Sequence, residues 1–420
     1  MRTRGRSPSA SAGSGSANQS SAGHLLWLVR TGRARTRGEL QAYTGLSRST
    51  ITQRIDLLRA TGYLVASGVD ESTGGRPAEL LEFNHAHGVV LVADLGGNHA
   101  RAAVVGLGGL SADGQPLAEE HEPIKIGEGP EGVLGWVDAA FRRLLEQTGW
   151  TAAQVRGVGV GVPGPVEFET GTVTQPPIMP GWDGYPIADR MRAHWGCPVY
   201  VDNDANLMAL GEQSVHYRHC PTLVLVKVAT GIGAGVVVDG QVYRGIDGGA
   251  GDIGHVRLHD YPQARCECGL YGCLAAVASG LALAQRLTAG GTRTSSGPEL
   301  IERIRSGHGE AVHLARAAGK LVGEVLATVV CLLNPGVLVI AGDLADIHFV
   351  TGVREVLYQL APPRSTRHLE VTTSKLGAQA AVVGAYAMVV EQVYGPAAVD
   401  AQLNAAAAGA GVPAVVPAPR

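Results

Sequence analysis

Between residues 23 and 83, short apolar stripes alternate with polar faces, a pattern that predicts three helices followed by a two-stranded hairpin. Gly23–Val29 is an apolar run. Thr36–Tyr43 opens on Thr36 with Glu39 three residues later, the spacing of a capping box. Thr44–Gly45–Leu46 reads as a turn, and Ser47 then caps a helix reaching about Ala60. In that helix Ile51, Ile55 and Leu58 share one stripe, while Ser49, Thr52, Gln53 and Asp56 lie on the opposite face. Past Gly62, Tyr63–Ala66 and Glu79–Phe83 alternate like two strands around the loop Ser72–Pro77.

From residue 88 the pattern changes to strands alternating with helices. Val89–Asp94, the turn Leu95–Gly96–Gly97 and Ala100–Gly106 read as strand, glycine turn and strand. Leu223–Ala229, the turn Thr230–Gly231–Ile232–Gly233 and Ala234–Asp239 repeat that arrangement. Helical segments follow at Pro130–Gln147, Glu310–Leu333 and Gly377–Val390, with a buried strand at Gly336–Ala341. This alternation predicts an α/β fold, and the echo predicts a duplicated domain over 88–395 with a cleft between its lobes. Residues 1–22, mostly Ser, Ala, Gly and Arg, are expected to be a disordered tail. Residues 396–420, rich in Ala, Gly, Pro and Val, are expected to be a flexible one.

Charge separates the two folded regions. Up to Gly62 the chain carries ten Arg against Glu39 and Asp56, whereas the remainder of its 420 residues holds 24 Lys plus Arg against 35 acids. A basic head on an acidic body is the layout of a nucleic-acid module joined to something else. Residues 23–87 accordingly read as a winged helix-turn-helix binding a double-stranded DNA operator. Arg48, Ser49, Thr52 and Gln53 stand on the exposed N-terminal face of the second helix of the motif, which enters the major groove. There Gln pairs bidentately with adenine and Arg with guanine. The loop Gly74–Gly75–Arg76–Pro77 suits a wing that carries Arg76 into a minor groove. One such unit reads a half-site, so a homodimer or tetramer is expected. No apolar run reaches the ~20 residues needed to cross a bilayer, and the first twenty residues lack a secretory apolar core, so a cytoplasmic protein without a membrane partner is expected.

Three of the six cysteines cluster. His255, Cys266, Cys268 and Cys273 stand in the pattern H-x10-C-x-C-x4-C, a donor set that completes a closed tetrahedral shell for structural Zn2+. Gly269 and Gly272 let the chain fold tightly around the ion. His259 also lies upstream, which leaves the identity of the fourth ligand open.

Several motifs occur in order through the larger region: Asp94–Leu95–Gly96–Gly97, Gly161–Val162–Pro163–Gly164–Pro165, Asp202–Asn203–Asp204–Ala205–Asn206 and Thr230–Gly231–Ile232–Gly233–Ala234–Gly235. They continue with the segment from Gly248 to His255 and the cysteine loop. Together these resemble the ROK family (repressor, open reading frame, kinase) over roughly residues 88–390. Members with a winged helix in front are sugar-responsive regulators. The resemblance implies the duplicated actin-like, ribonuclease-H-like two-lobed fold. It implies sugar contacts from Asn203, Asp204, Asp252 and His255, with Asp204 as general base in kinases and His255 serving zinc as well. Gly96, Gly97, Thr230 and Gly231 would line phosphates, and Asp94 would hold Mg2+ through water.

The chain also departs from the kinase pattern. Asn98 stands where kinases of the family have threonine, Ala229 replaces the first glycine of Gly-Thr-Gly, and Ile178 replaces the asparagine four residues before Trp182. Asp252 and Ala275 stand where glutamates are usual, and the glycine pair of the adenosine site reads Gly342–Asp343. Lost hydrogen-bond partners for a polyol cost ~1–3 kcal/mol each. The sequence therefore reads as a sugar- or metabolite-responsive DNA-binding regulator, a repressor, without appreciable turnover. The alternative is an ATP- and Mg2+-dependent hexose kinase with a DNA-binding appendage.

Overall fold

A computed structural model of the chain describes residues 20–69 and 78–408. Residues 1–19, residues 70–77 with the expected wing and its Arg76, and residues 409–420 lie outside the described residues. The chain divides into two compact units, one running to His87 and joined by the segment from Gln392, the other Gly88–Glu391.

In the first unit, helices Ala22–Arg30, Arg37–Thr44 and Arg48–Ala60 precede an antiparallel hairpin of Leu64–Val69 and Glu79–Phe83. The capping box forms: Thr36 Oγ1 accepts from Glu39 N at 3.2 Å, and Glu39 Oε2 accepts from Thr36 N at 3.1 Å. Ser47 Oγ accepts from Thr50 N at 3.2 Å. At both helix starts, side chains identified by their spacing thus satisfy backbone donors that the helix itself cannot. Ile51, Ile55 and Leu58 are buried with Leu25, Leu26, Leu40 and Leu81, which makes the apolar stripe the unit's core.

The expected flexible segment from 396 is instead a helix over Pro396–Ala407. Val399 and Leu403 are buried, the helix packs on Ala22–Arg30, and Asp400 Oδ1 accepts from Gly23 N at 2.8 Å. Its alanines read as low complexity, yet alanine has the best intrinsic helix propensity, and the apolar pair four residues apart supplies the docking face. Just before it, Tyr394 joins Tyr63, Phe83 and His87 in an aromatic cluster, its hydroxyl 2.9 Å from His87 Nδ1.

The second unit contains two five-stranded sheets of identical topology. The first runs Ala118–Glu122, Ala100–Gly106, Val89–Leu95, Val155–Val162, Val199–Asn203. The second runs Gln241–Val242, Ile232–Val238, Thr222–Val228, Val337–Ala341, Glu370–Thr373. In each, the first three strands of the sequence form an antiparallel meander, and the later two add in parallel beside the first. The sequence echo is therefore a repeat of topology, and the class is α/β. Val89–Leu95 and Val155–Val162 are buried along their whole length, as central parallel strands covered on both faces must be. Helices Asp204–His216 and Ala380–Tyr394 approach so closely that a methyl at Gly211 or Gly384 would collide with the carbonyls of Ala380 and Leu207. Among the described residues no single helix is long and apolar enough to cross a membrane.

If Pro396–Ala407 belongs to the first unit, Leu403→Ala should destabilise that unit by about 2–5 kcal/mol, the usual cost of emptying a buried leucine site. Hydrogen exchange should then rise in Ala22–Arg30. Unchanged protection of that helix would return the segment to a loose tail.

Candidate functional site

The first sheet ends on strand Val199–Asn203, and helix Asp204–His216 starts at once. Asn203 caps that helix: its Oδ1 accepts from Ala205 N at 2.9 Å and Asn206 N at 3.4 Å, while its Nδ2 donates to Gly164 O at 3.1 Å. Asp202, buried beneath, accepts from Asn203 N at 2.7 Å and Asn206 Nδ2 at 2.9 Å through Oδ1. Its Oδ2 takes a bidentate grip from Arg244, at 2.6 Å from Nη2 and 3.0 Å from Nε. The Arg244 guanidinium lies over the Phe168 ring at 3.7 Å from its centroid, so the cation is stacked as well as paired. These contacts fix the turn.

A small recess opens beside the turn, lined by Asn203, Asn206, Ala234, Gly251 and Asp252 among others. Two sequence-predicted sugar residues, Asn203 and Asp252, therefore meet there. Asn206 adds a third polar group that motif reading passed over. Its Nδ2 is committed to the Asp202 carboxylate, which turns Oδ1 the other way, and that buried oxygen has no partner among the described residues. A buried acceptor without a donor is a standing cost of about 1–3 kcal/mol that a ligand hydroxyl or a water relieves.

Asp204 is the predicted base, and it is not free. Its Oδ2 lies 2.5 Å from Lys227 Nζ, and both side chains are largely buried. Burial works against charge on Lys227, but the carboxylates of Asp204 and Asp94 outweigh it and hold its pKa above the ordinary lysine value. Asp94 Oδ2 in turn lies 3.6 Å from His99 Nε2. Burial pushes the Asp94 carboxyl up, yet His99 and the positive charges of Lys227 and Arg101 prevail and hold it below its ordinary value. The two predicted phosphate turns, Gly96–Gly97 and Thr230–Gly231, face each other, with Asn98 Nδ2 donating to Thr230 Oγ1 at 3.4 Å. Ile178 packs on the core of its lobe beside Trp182, whose Nε1 donates to Ile126 O at 2.9 Å. Lys227 had a visible sign in the sequence: it is the one charge in the apolar strand Thr222–Val228.

Asp252 precedes the short turn Ile253–His255, which leads into the cysteine loop. His255, Cys266, Cys268 and Cys273 offer ligand atoms that all lie within 4.8 Å of one another; His259 is not in the group. Cys266 Sγ is 3.8 Å from His255 Nδ1, and Cys268 Sγ is 3.8 Å from Cys273 Sγ. Thiolates at the usual Zn–S length in a tetrahedron are about 3.8 Å apart, so the donor set fits a tetrahedral metal as it stands. The loop is closed by Cys266 N to Leu270 O and Gly269 N to Cys266 O, each 2.9 Å, with Gly269 and Gly272 at φ of +86° and +79°. A side chain at either glycine would strain the backbone there.

On the first unit, Arg48, Ser49 and Gln53 are exposed on helix Arg48–Ala60 and Thr52 is half-buried. Arg59 Nη2 pairs with Glu79 Oε1 at 2.8 Å, which ties the far end of that helix to the hairpin and leaves its N-terminal face open.

Removing one partner of a buried ion pair strands the other, at about 3–5 kcal/mol. Arg244→Met should therefore destabilise the second unit by that order. Arg244→Lys should recover only part of it, because a lysine cannot grip Asp202 with two donors. Denaturant melting of the three proteins checks this, and equal stability of all three would refute the role given to Arg244.

Comparison with known proteins agrees with this architecture. The ROK family model matches residues 90–392. The xylose repressor of Caldicellulosiruptor bescii is 30% identical over 386 residues, covering 88% of this chain and 95% of its own. A crystal structure described as a ROK family transcriptional regulator, a homologue of the E. coli Mlc protein, superposes with a TM-score of 0.76 at 25% identity, over 91% of this chain and 98% of that one. A ROK family glucokinase from Streptomyces griseus, solved with glucose and AMPPNP, gives 0.61 at 27% identity over 72% of this chain and 99% of its own. Likeness to the regulators thus extends through the winged unit, while likeness to the kinase is confined to the two-sheet domain. With a family match over most of its length and topologically duplicated sheets, the chain belongs to the ROK family.

Proposed function

We propose that this protein is a sugar-responsive transcriptional repressor. The carrying observation is that the chain aligns with repressors across both its units, and that its first unit presents an open helix face above a formed hairpin. In this reading Arg48, Ser49, Thr52 and Gln53 meet base edges or nearby phosphates, and Arg76 enters the minor groove from the wing. A homodimer or tetramer supplies two such units to an operator in the cytoplasm. A neutral sugar or sugar derivative occupies the recess against Asn203, Asn206 and Asp252, with Asp204 and His255 at its margins. Structural Zn2+ on His255, Cys266, Cys268 and Cys273 holds the turn that carries Asp252, so the metal shapes the ligand site without taking part in chemistry.

The path from ligand to DNA starts at helix Asp204–His216, whose first residues carry the sugar contacts. Its Leu207–Gly211 stretch is locked against Ala380–Gly384, the start of the long helix that closes the second unit. Close glycine contacts transmit displacement because there is no soft side chain between the backbones. The rival reading, a hexose kinase with a DNA-binding appendage, has Asp204 and the two glycine turns in its favour. Against it stands the ion pair on Asp204.

DNA binding is best tested by substitution, because deleting residues 1–87 would also strip the partner from Pro396–Ala407. An operator selected from genomic fragments should lose sequence preference at one base position in Gln53→Ala, by ~1–3 kcal/mol. Arg76→Ala should weaken binding evenly and lower the salt slope by about one. A protein with Arg48→Ala and Gln53→Ala that still binds the operator at full strength would refute the helix assignment.

For the metal, purified protein should hold about one Zn2+ per chain, the stoichiometry of one closed site. Cys268→Ser should lose it and lower the melting temperature, since metal binding and local folding are coupled. A metal-free protein whose melting is indifferent to chelator would rule out zinc as the support of this loop.

A further inference from the structure

The kinases of this family use MgATP, and the residues here do not fit it. We infer that Lys227 is a built-in counter-charge that occupies the phosphate end of the cleft and keeps out Mg2+ and nucleotide, so that the protein senses its sugar without a phosphoryl donor. The inference rests on the regulator reading but concerns a different ligand and a different residue.

Lys227 stands in the central strand of the second sheet, opposite Gly233 on one side and Ala341 on the other. Its neighbours on the strand are apolar, and a lysine almost never enters such a position unless it is paired. The pairing is with Asp204 at 2.5 Å, and Asp94 and Asp343 add their negative field. Asp204 is thus met by an ammonium from the opposite lobe. Asp94, the residue that the family resemblance gives to the metal, has His99 at 3.6 Å. Asn98 reaches across to Thr230, so side chains also occupy the approach between the two glycine turns.

Mg2+ requires near-octahedral oxygen ligands at about 2.0–2.1 Å and holds its waters tightly. To enter, it would have to share the Asp204 and Asp94 region with a fixed positive charge, and like charges in a partly buried site are strongly disfavoured. Burial outweighs the ammonium and holds the Asp204 carboxyl above its ordinary value, but the oxygen that a base would turn toward a substrate hydroxyl is taken up by Lys227. A neutral sugar meets neither objection. It needs hydrogen-bond partners, and the recess offers them in Asn203, Asp252 and the Asn206 oxygen that has no partner among the described residues.

The test uses full-length, zinc-loaded protein and Mn2+ as a spectroscopic stand-in for Mg2+, with AMPPNP as nucleotide. The free Mn2+ resonance should be undiminished by wild type up to millimolar metal, with or without AMPPNP. Lys227→Met, which keeps the apolar stem and removes the charge, should bind Mn2+ at least tenfold more tightly, and Lys227→Arg should exclude it as wild type does. Lys227→Gln replaces the Met variant if the latter loses its cooperative melting transition. Uptake of Mn2+·AMPPNP by wild type, abolished by Asp94→Asn, would overturn the inference, as would a neutral variant that remains blind to the metal. A wild-type protein that takes up the nucleotide yet binds its operator would leave the regulator reading standing.

Discussion

Three carboxylates are buried at the base of the cleft, and none can stay ionised without a partner brought from elsewhere in the fold. Uncompensated, each would cost several kcal/mol or accept a proton. Asp202 is answered by Arg244 from the glycine loop, Asp204 by Lys227 from the central strand of the second sheet, and Asp94 has His99 from the following turn. Two of these pairs, Asp202 with Arg244 and Asp204 with Lys227, also link the duplicated halves. Because Asp202 and Asp204 flank the cap residue Asn203, pairing them sets where the strand ends, where the helix begins and which way Asn206 faces.

That constraint separates two uses of one family fold. Phosphoryl transfer needs a base and a metal site whose charges are available to the reaction, because positioning and charge stabilisation supply nearly all of the catalysis. Here the charges are used in holding the structure together, and the remaining polar groups of the recess suit a hydroxyl-bearing ligand. The changes noted in the sequence at Asn98, Ala229 and Ile178 fall on the same side. Asn98 bridges to Thr230, and Ile178 packs on the core of its lobe.

What could be read from the sequence was whatever depends on short spacing. The capping box at Thr36 and Glu39, the stripe of Ile51, Ile55 and Leu58, and the Cys266–Cys273 loop all lie within a few turns of chain, where helix periodicity or ligand geometry fixes neighbours directly. The duplicated topology was legible because both halves carry the same strand–glycine–strand signature. The ion pairs were not. Lys227 and Asp204 meet only once the second sheet is in register and the lobes have come together, and no local pattern encodes that. The sign was present but unassigned: a single lysine in a run of buried valines and leucines demands a partner without naming it. The helix Pro396–Ala407 is not legible in the sequence for a related reason. Its composition carries little amphipathic signal, and its order comes from docking on a helix more than 360 residues earlier, as the Gly23 to Asp400 contact shows.

If sugar binding alone, with no phosphate transferred, sets operator affinity, then nucleotide should be irrelevant to the response. Fluorescence anisotropy of a selected operator, titrated with a panel of sugars with and without MgATP, measures this directly, and recovery of the sugar afterwards shows whether it was modified. One sugar should shift operator affinity by about five- to a hundredfold, the range of ordinary allosteric coupling. The shift should be the same with and without nucleotide, and the sugar should be recovered unchanged. A shift that appears only with MgATP, accompanied by a phosphorylated sugar, would contradict it.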